Sequence, residues 1–154
     1  MDKKTEYKIL SLACLTGKIM LQNGSEVYRV ENHICQVAEY YGMTPQCFAT
    51  LTCIIITLKN SEGEVISLVE RVTSRTTNLD KVYQVYSLIR NISDYNCDEL
   101  REKLLNIENE KPYPFLINAA GNCIGAGFFY FPFFREYKRI YSCLFMRNTY
   151  CNSI

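Results

Sequence analysis

Between Phe115 and Phe134 the chain runs for twenty residues without a charged side chain. At about 1.5 Å of rise per helical residue, that run matches a bilayer core of roughly 30 Å. It includes Phe128-Phe129-Tyr130-Phe131 and small residues at Ala119, Ala120, Gly121, Gly125, Ala126 and Gly127, and Lys111-Pro112-Tyr113-Pro114 breaks any helix ahead of it. A transmembrane helix over 113–134 is expected. Gly121-x-x-x-Gly125 either lets a neighbouring helix approach closely or reflects how common Gly is in membrane helices. The span divides the chain into an N-terminal domain over 1–112, the helix over 113–134 and a basic tail over 135–154.

The N-terminal part has ordinary soluble patterning. Ile9, Leu12, Ala13, Thr16 and Met20 recur at helical spacing up to the stop Asn23-Gly24, which predicts a helix over about 5–22. Ser25 is the expected cap of a second helix. Val27, Val30, Ile34, Val37 and Tyr41 form its stripe, and Gly42 and Pro45 end it. The β-branched stretch from Cys47 to Leu58 reads as one buried strand, Lys59–Gly63 as a turn, and Glu64–Val72 as a second strand, together a β-hairpin. A third helix starts at Thr77 or Asn78 with Leu79, Val82, Tyr83, Tyr86 and Ile89 on one side. A fourth starts at Asn96 in a capping-box spacing with Glu99, and Leu100, Leu104, Leu105 and Ile107 form its apolar side. The fold class is α+β: a helical hairpin, a β-hairpin and two further helices, then the transmembrane helix.

Seventeen basic and sixteen acidic side chains leave a net charge of +1, no electrostatic footprint for nucleic acid. The eight cysteines show no CxxC pair and no zinc-type Cys/His spacing, so neither a metal nor another cofactor is expected. With no secretory signal in the first residues, the cysteines read as reduced thiols in the cytosol.

Three segments are specific in combination: Leu21-Gln-Asn-Gly-Ser-Glu-Val-Tyr-Arg-Val-Glu31, Phe48-Ala-Thr50 with the isoleucine-rich strand after it, and Arg71-x-x-x-Arg-Thr-Thr-Asn-Leu79. In this order, with Tyr113-Pro114 before the apolar run, they resemble the threonine/serine exporter family over about residues 7 to 134. The resemblance implies a cytosolic N-terminal domain on a bundle of transmembrane helices that exports threonine, serine or, in split two-protein systems, dicarboxylates, drawing on the proton gradient. Family members continue with further spans, whereas Arg135 to Ile154 holds no span-length apolar run. The expectation is therefore a truncated exporter portion in the cell membrane, not transport-competent alone, with a second transporter subunit or self-association as its partner. The alternative is a membrane-anchored binding or regulatory module.

Candidate substrate- or proton-linked residues are Glu26, Arg29 and Glu31 on the second helix and Arg71, Arg75 and Asn78 at the entry to the third. Carboxylates carry protons, Arg forks onto a carboxylate, and a helix N-terminus favours an anion. The bland readings are surface ion pairing on the second helix, and loop organisation and capping by Arg75 and Asn78. Glu26 and Glu31 lie on opposite margins of the apolar stripe, with Arg29 and His33 on the Glu26 side. No catalytic residue is expected, because the only histidine, His33, has no nucleophile motif beside it; a hydrolase-like enzyme is the poorest fit. For topology, Arg135, Lys138, Arg139 and Arg147 after the span compete with Arg101, Lys103 and Lys111 before it. The resemblance and the reduced thiols place the N-terminal domain in the cytosol against this small excess, so the expectation is a cytosolic N-terminal domain with a poorly inserted or mixed-topology tail.

Overall fold

The computed structural model describes residues 2–111 and 119–127. The chain forms two units, Met1–Glu110 and Lys111–Ile154. The first contains α1 (Lys3–Gln22), α2 (Val27–Tyr40), β1 (Thr44–Ala49), β2 (Cys53–Lys59), β3 (Val65–Arg71), α3 (Leu79–Arg90), a 3-10 turn (Ile92–Asp94) and α4 (Cys97–Asn109). In the second, residues 119–127 are helical. The rest of the expected span lies outside the described residues, and among the described residues no helix is long and apolar enough to cross a membrane.

The α1 helix is the centre of the domain, in contact with α2, α3, α4, β2 and β3. Its burial is wider than the single stripe of the sequence pattern: Leu10, Cys14, Gly17, Ile19 and Leu21 are buried with Ile9, Leu12, Ala13 and Met20. A helix apolar on most sides must be enclosed. Thr16 is tolerated inside because its hydroxyl donates to the Leu12 carbonyl at 3.0 Å.

Both helices of the hairpin end in the same backbone motif. At the end of α1 the Gly24 N–H donates to the Leu21 carbonyl and the Ser25 N–H to that of Met20, at 3.4 and 3.0 Å; at the end of α2 Gly42 donates to Glu39 and Met43 to Ala38, at 2.9 and 3.0 Å. These are Schellman closures, and they require the positive φ of Gly24 (92°) and Gly42 (76°). The closure of α1 corrects the expected role of Ser25. That residue belongs to the end of α1, its buried Oγ has no hydrogen-bond partner, and Glu26 occupies the cap position of α2.

The expected β-hairpin is a three-stranded antiparallel sheet in the order β1-β2-β3. The single strand predicted from Cys47 to Leu58 is two strands folded at Thr50–Thr52. The Thr50 N–H donates to the Cys53 carbonyl at 2.8 Å, and the Cys53 N–H donates to Thr50 Oγ1 at 3.1 Å. A threonine hydroxyl can thus replace the usual Gly or Asn in a turn. One face of the sheet supplies Ala49, Ile54, Ile56 and Leu58 to the core.

In α3 the inward face also differs from the expected one. Leu79 and Tyr83 are 65 % and 68 % exposed and Tyr86 is exposed, while Lys81, Val85 and Ile89 are buried. Lys81 lays its apolar stem inside and donates from Nζ to the Glu108 carbonyl at 2.9 Å, at the electronegative end of α4. The α4 capping box is present, with Glu99 accepting from the Asn96 N–H at 3.1 Å; Leu100, Leu104 and Ile107 are buried and Leu105 is exposed. The described cysteines, Cys14, Cys35, Cys47, Cys53, Cys97 and Cys123, are free thiols. Burial pushes Cys14 and Cys47 up to about 12, so neither is a thiolate at neutral pH.

Candidate functional site at the helix junction

The three segments that carry the family resemblance, far apart in sequence, meet at one end of the sheet. The Thr76 N–H donates to the Gln22 carbonyl at 2.7 Å and the Asn78 N–H to the Asn23 carbonyl at 3.0 Å, which fastens the loop after β3 to the α1–α2 turn. The Val72 N–H donates to the Thr52 carbonyl at 2.8 Å, fastening the same loop to the β1–β2 turn. Glu31 Oε1 accepts from the Ala49 N–H at 2.7 Å and closes the set. Gly24 is needed here for space as well as conformation, since a Cβ would stand 3.3 Å from the Thr76 carbonyl oxygen.

The candidate residues have distinct situations in this junction. Glu26 and Arg29 pair at 3.2 Å on the exposed start of α2. The Arg29 Nε–H also reaches the Tyr28 hydroxyl at 3.1 Å, and these contacts, Tyr28 first, raise the guanidinium above its ordinary range. Glu31 is half-buried and committed to Ala49. In β1 the Thr50 N–H turns toward β2, so by strand alternation the Ala49 N–H points off the free edge of the sheet, where it needs an acceptor. Asn78 caps α3, its Oδ1 accepting from the Lys81 N–H at 3.3 Å. Arg71 ends β3 opposite Cys53, Arg75 lies in the loop, and both are exposed.

His33 sits apart from the Glu26–Arg29 pair's contacts. Its ring meets Tyr86 of α3 edge-on at 5.5 Å and its Nδ1 lies 3.3 Å from Gln36 Oε1. Burial pushes its pKa below the usual histidine value, which keeps the imidazole neutral at pH 7.

Two helices, α2 and α3, start at the junction, and their first N–H groups form the electropositive ends of the two dipoles. With Glu26 held by Arg29 and Glu31 held by Ala49, Arg75 is the cation of the loop, Arg71 ends β3 on the sheet face turned away from the helices, and Asp80 in the first turn of α3 is hydrogen-bonded by Gln84 at 3.1 Å. The arrangement sets the exposed Arg75 guanidinium in the loop before the α3 N-terminus and the exposed acid Glu26 at the start of α2. The role of Glu31 was not visible in the sequence, since it depends on which strand is the edge; Asn23-Gly24-Ser25 was the one readable signal that a tight connection lay here.

Residues 11–146 match the family model ThrE, whose description reads "Putative threonine/serine exporter". The chain belongs to the threonine/serine exporter family, a family of transporters and not of enzymes. No curated protein and no solved structure matches it.

Proposed function

We propose that this chain is the N-terminal portion of a membrane exporter of small hydrophilic metabolites, of the threonine/serine or dicarboxylate type. Its Met1–Glu110 unit faces the cytosol and gathers substrate at the junction of α1, α2 and the loop before α3. The observation that carries the reading is the family match over residues 11–146; the junction that unites the Glu26–Glu31 and Arg71–Asn78 segments supports it. Glu26 and Arg29 are the candidates for proton linkage. Arg71, Arg75 and Asn78 are the candidates for holding a carboxylate, and Glu31 serves the site by tying α2 to β1.

A polar solute needs a path enclosed by several helices, and the sequence given carries one span-length apolar run, Phe115–Phe134. Further spans, in a longer chain or a second subunit, complete the pathway. Vesicles holding only this chain, loaded with labelled threonine or succinate under an imposed proton gradient, are expected to lose solute no faster than protein-free vesicles. Proton-dependent efflux from them, removed by Glu26→Gln, would show that the chain needs no further spans.

A further inference from the structure

The face of the sheet turned away from the helices carries, apart from Arg71, no residue that the junction or the core uses. Cross-strand register places Phe48 opposite Ile55 and Ile55 opposite Val69. These three form one apolar row across all three strands, 61 %, 40 % and 66 % exposed. Neighbouring strands lie about 4.8 Å apart, so the row extends roughly 10 Å. Leu51, in the β1–β2 turn at one end of the sheet, is exposed as well.

The other outward positions are Thr44 and Gln46 on β1, Cys53, Thr57 and Lys59 on β2, and Val65, Ser67 and Arg71 on β3. None is acidic, and two are basic. The acid of β3, Glu70, faces the helices, where it pairs with Lys18 at 3.0 Å. Glu62 and Glu64 lie in the β2–β3 turn beside Lys59, at the end of the sheet away from Leu51 and Arg71. The one polar pair within the face is internally satisfied, Thr57 Oγ1 lying 3.0 Å from Ser67 Oγ.

We infer that this outer face is a contact surface for an anionic lipid bilayer, with Phe48, Ile55, Val69 and Leu51 entering the headgroup region and Arg71 and Lys59 meeting lipid phosphates. A contiguous exposed apolar row across three strands is a candidate binding surface. Apolar side chains combined with positive charge and no acid are what an anionic interface selects. A protein partner of equal area would call for directional polar groups; here the Thr57 and Ser67 hydroxyls bond each other, and the acids beside the face, Glu62 and Glu64, are confined to its Lys59 end. A membrane-exporter family places a bilayer within reach of such a face, and the inference holds whether or not the junction binds substrate.

The chain contains no tryptophan, so a single introduced one reports on its own surroundings. The full chain carrying Phe48→Trp would be reconstituted in phosphatidylcholine vesicles with or without phosphatidylglycerol, with bromine on the lipid chains near the headgroup. Tyr83→Trp, on exposed α3, is the comparison. The expected result with phosphatidylglycerol is a blue shift and loss of emission at position 48, smaller in neutral vesicles, reduced by the pair Lys59→Gln and Arg71→Gln, and absent at position 83. Three outcomes would overturn the inference: water-like unquenched emission at 48 in both lipids, equal quenching at 48 and 83, or a blue shift at 48 without bromine quenching, which would indicate a protein contact.

Discussion

Gly17→Leu is expected to strip the Met1–Glu110 unit of most of its stability. A Cβ at position 17 would run into Ile34 Cδ1 and stand 2.8 Å from Ile34 Cγ1 and 3.3 Å from Val30 Cγ1. Ile34 and Val30 are both fully buried, so any shift that relieves these contacts must be absorbed by a packed core. Gly17→Ala separates the terms: overpacking costs about 1–3 kcal/mol, while Ala gains roughly 1 kcal/mol of helix propensity over Gly. The alanine variant should therefore be modestly destabilised and the leucine variant should lose most of a margin of about 5–15 kcal/mol. Urea unfolding followed by circular dichroism measures both. Ile34→Val, which removes the clashing methyl, should recover part of the loss in the alanine background; a leucine variant unfolding at the wild-type midpoint would mean that α1 and α2 do not pack through Gly17.

Asn60→Ala is the second large effect, expected to cost about 2–4 kcal/mol because it strips partners from several groups at once. Asn60 Oδ1 accepts from the Glu62 N–H at 3.0 Å and the Glu64 N–H at 2.8 Å, which shapes the β2–β3 turn. Its Nδ2 donates at 2.8 Å to Glu6 Oε1, a carboxylate only 1 % exposed on α1. Removal of the amide leaves that carboxylate buried without this donor. Glu6→Gln keeps an acceptor in place and should be mild in comparison. Glu6→Leu in the Asn60→Ala background should restore some stability, since losing both polar partners is less costly than losing one. An alanine variant within about 0.5 kcal/mol of wild type, the range of ordinary surface substitutions, would contradict the role given to Asn60.

The α+β class and the helices of the first unit were legible because α2 and α4 present apolar stripes, although the expected cap Ser25 closes α1 and Leu105 of the α4 stripe faces outward. The turn at Thr50–Thr52 was not, since Thr-Leu-Thr has strand composition and the turn is made by a side-chain hydroxyl. The inward face of α3 was read in part: Val82 and Ile89 of the expected stripe pack inward, but Leu79, Tyr83 and Tyr86 were preferred to Val85, and Lys81 counts as polar until the Glu108 carbonyl is known to receive its ammonium. Of the candidate site, the residue types and three segments could be read in sequence. Their convergence could not, because it rests on backbone bonds such as Thr76 to Gln22, to which no side-chain pattern corresponds. Glu31 was read as a candidate acid on the margin of α2 opposite Glu26, and its bond to the edge of β1 was not legible.

The most direct test of the central claim is a titration of the full chain, isotope-labelled in micelles, with threonine, serine and succinate. Chemical-shift changes should saturate and concentrate in Glu26–Glu31 and Arg71–Asn78, and Arg75→Gln should weaken binding about tenfold, equivalent to about 1.4 kcal/mol, without shifting the urea midpoint. Changes confined to other surfaces, no saturation with any of the three solutes, or an affinity indifferent to both Arg75→Gln and Arg71→Gln would contradict the assignment of the junction as the substrate-gathering site.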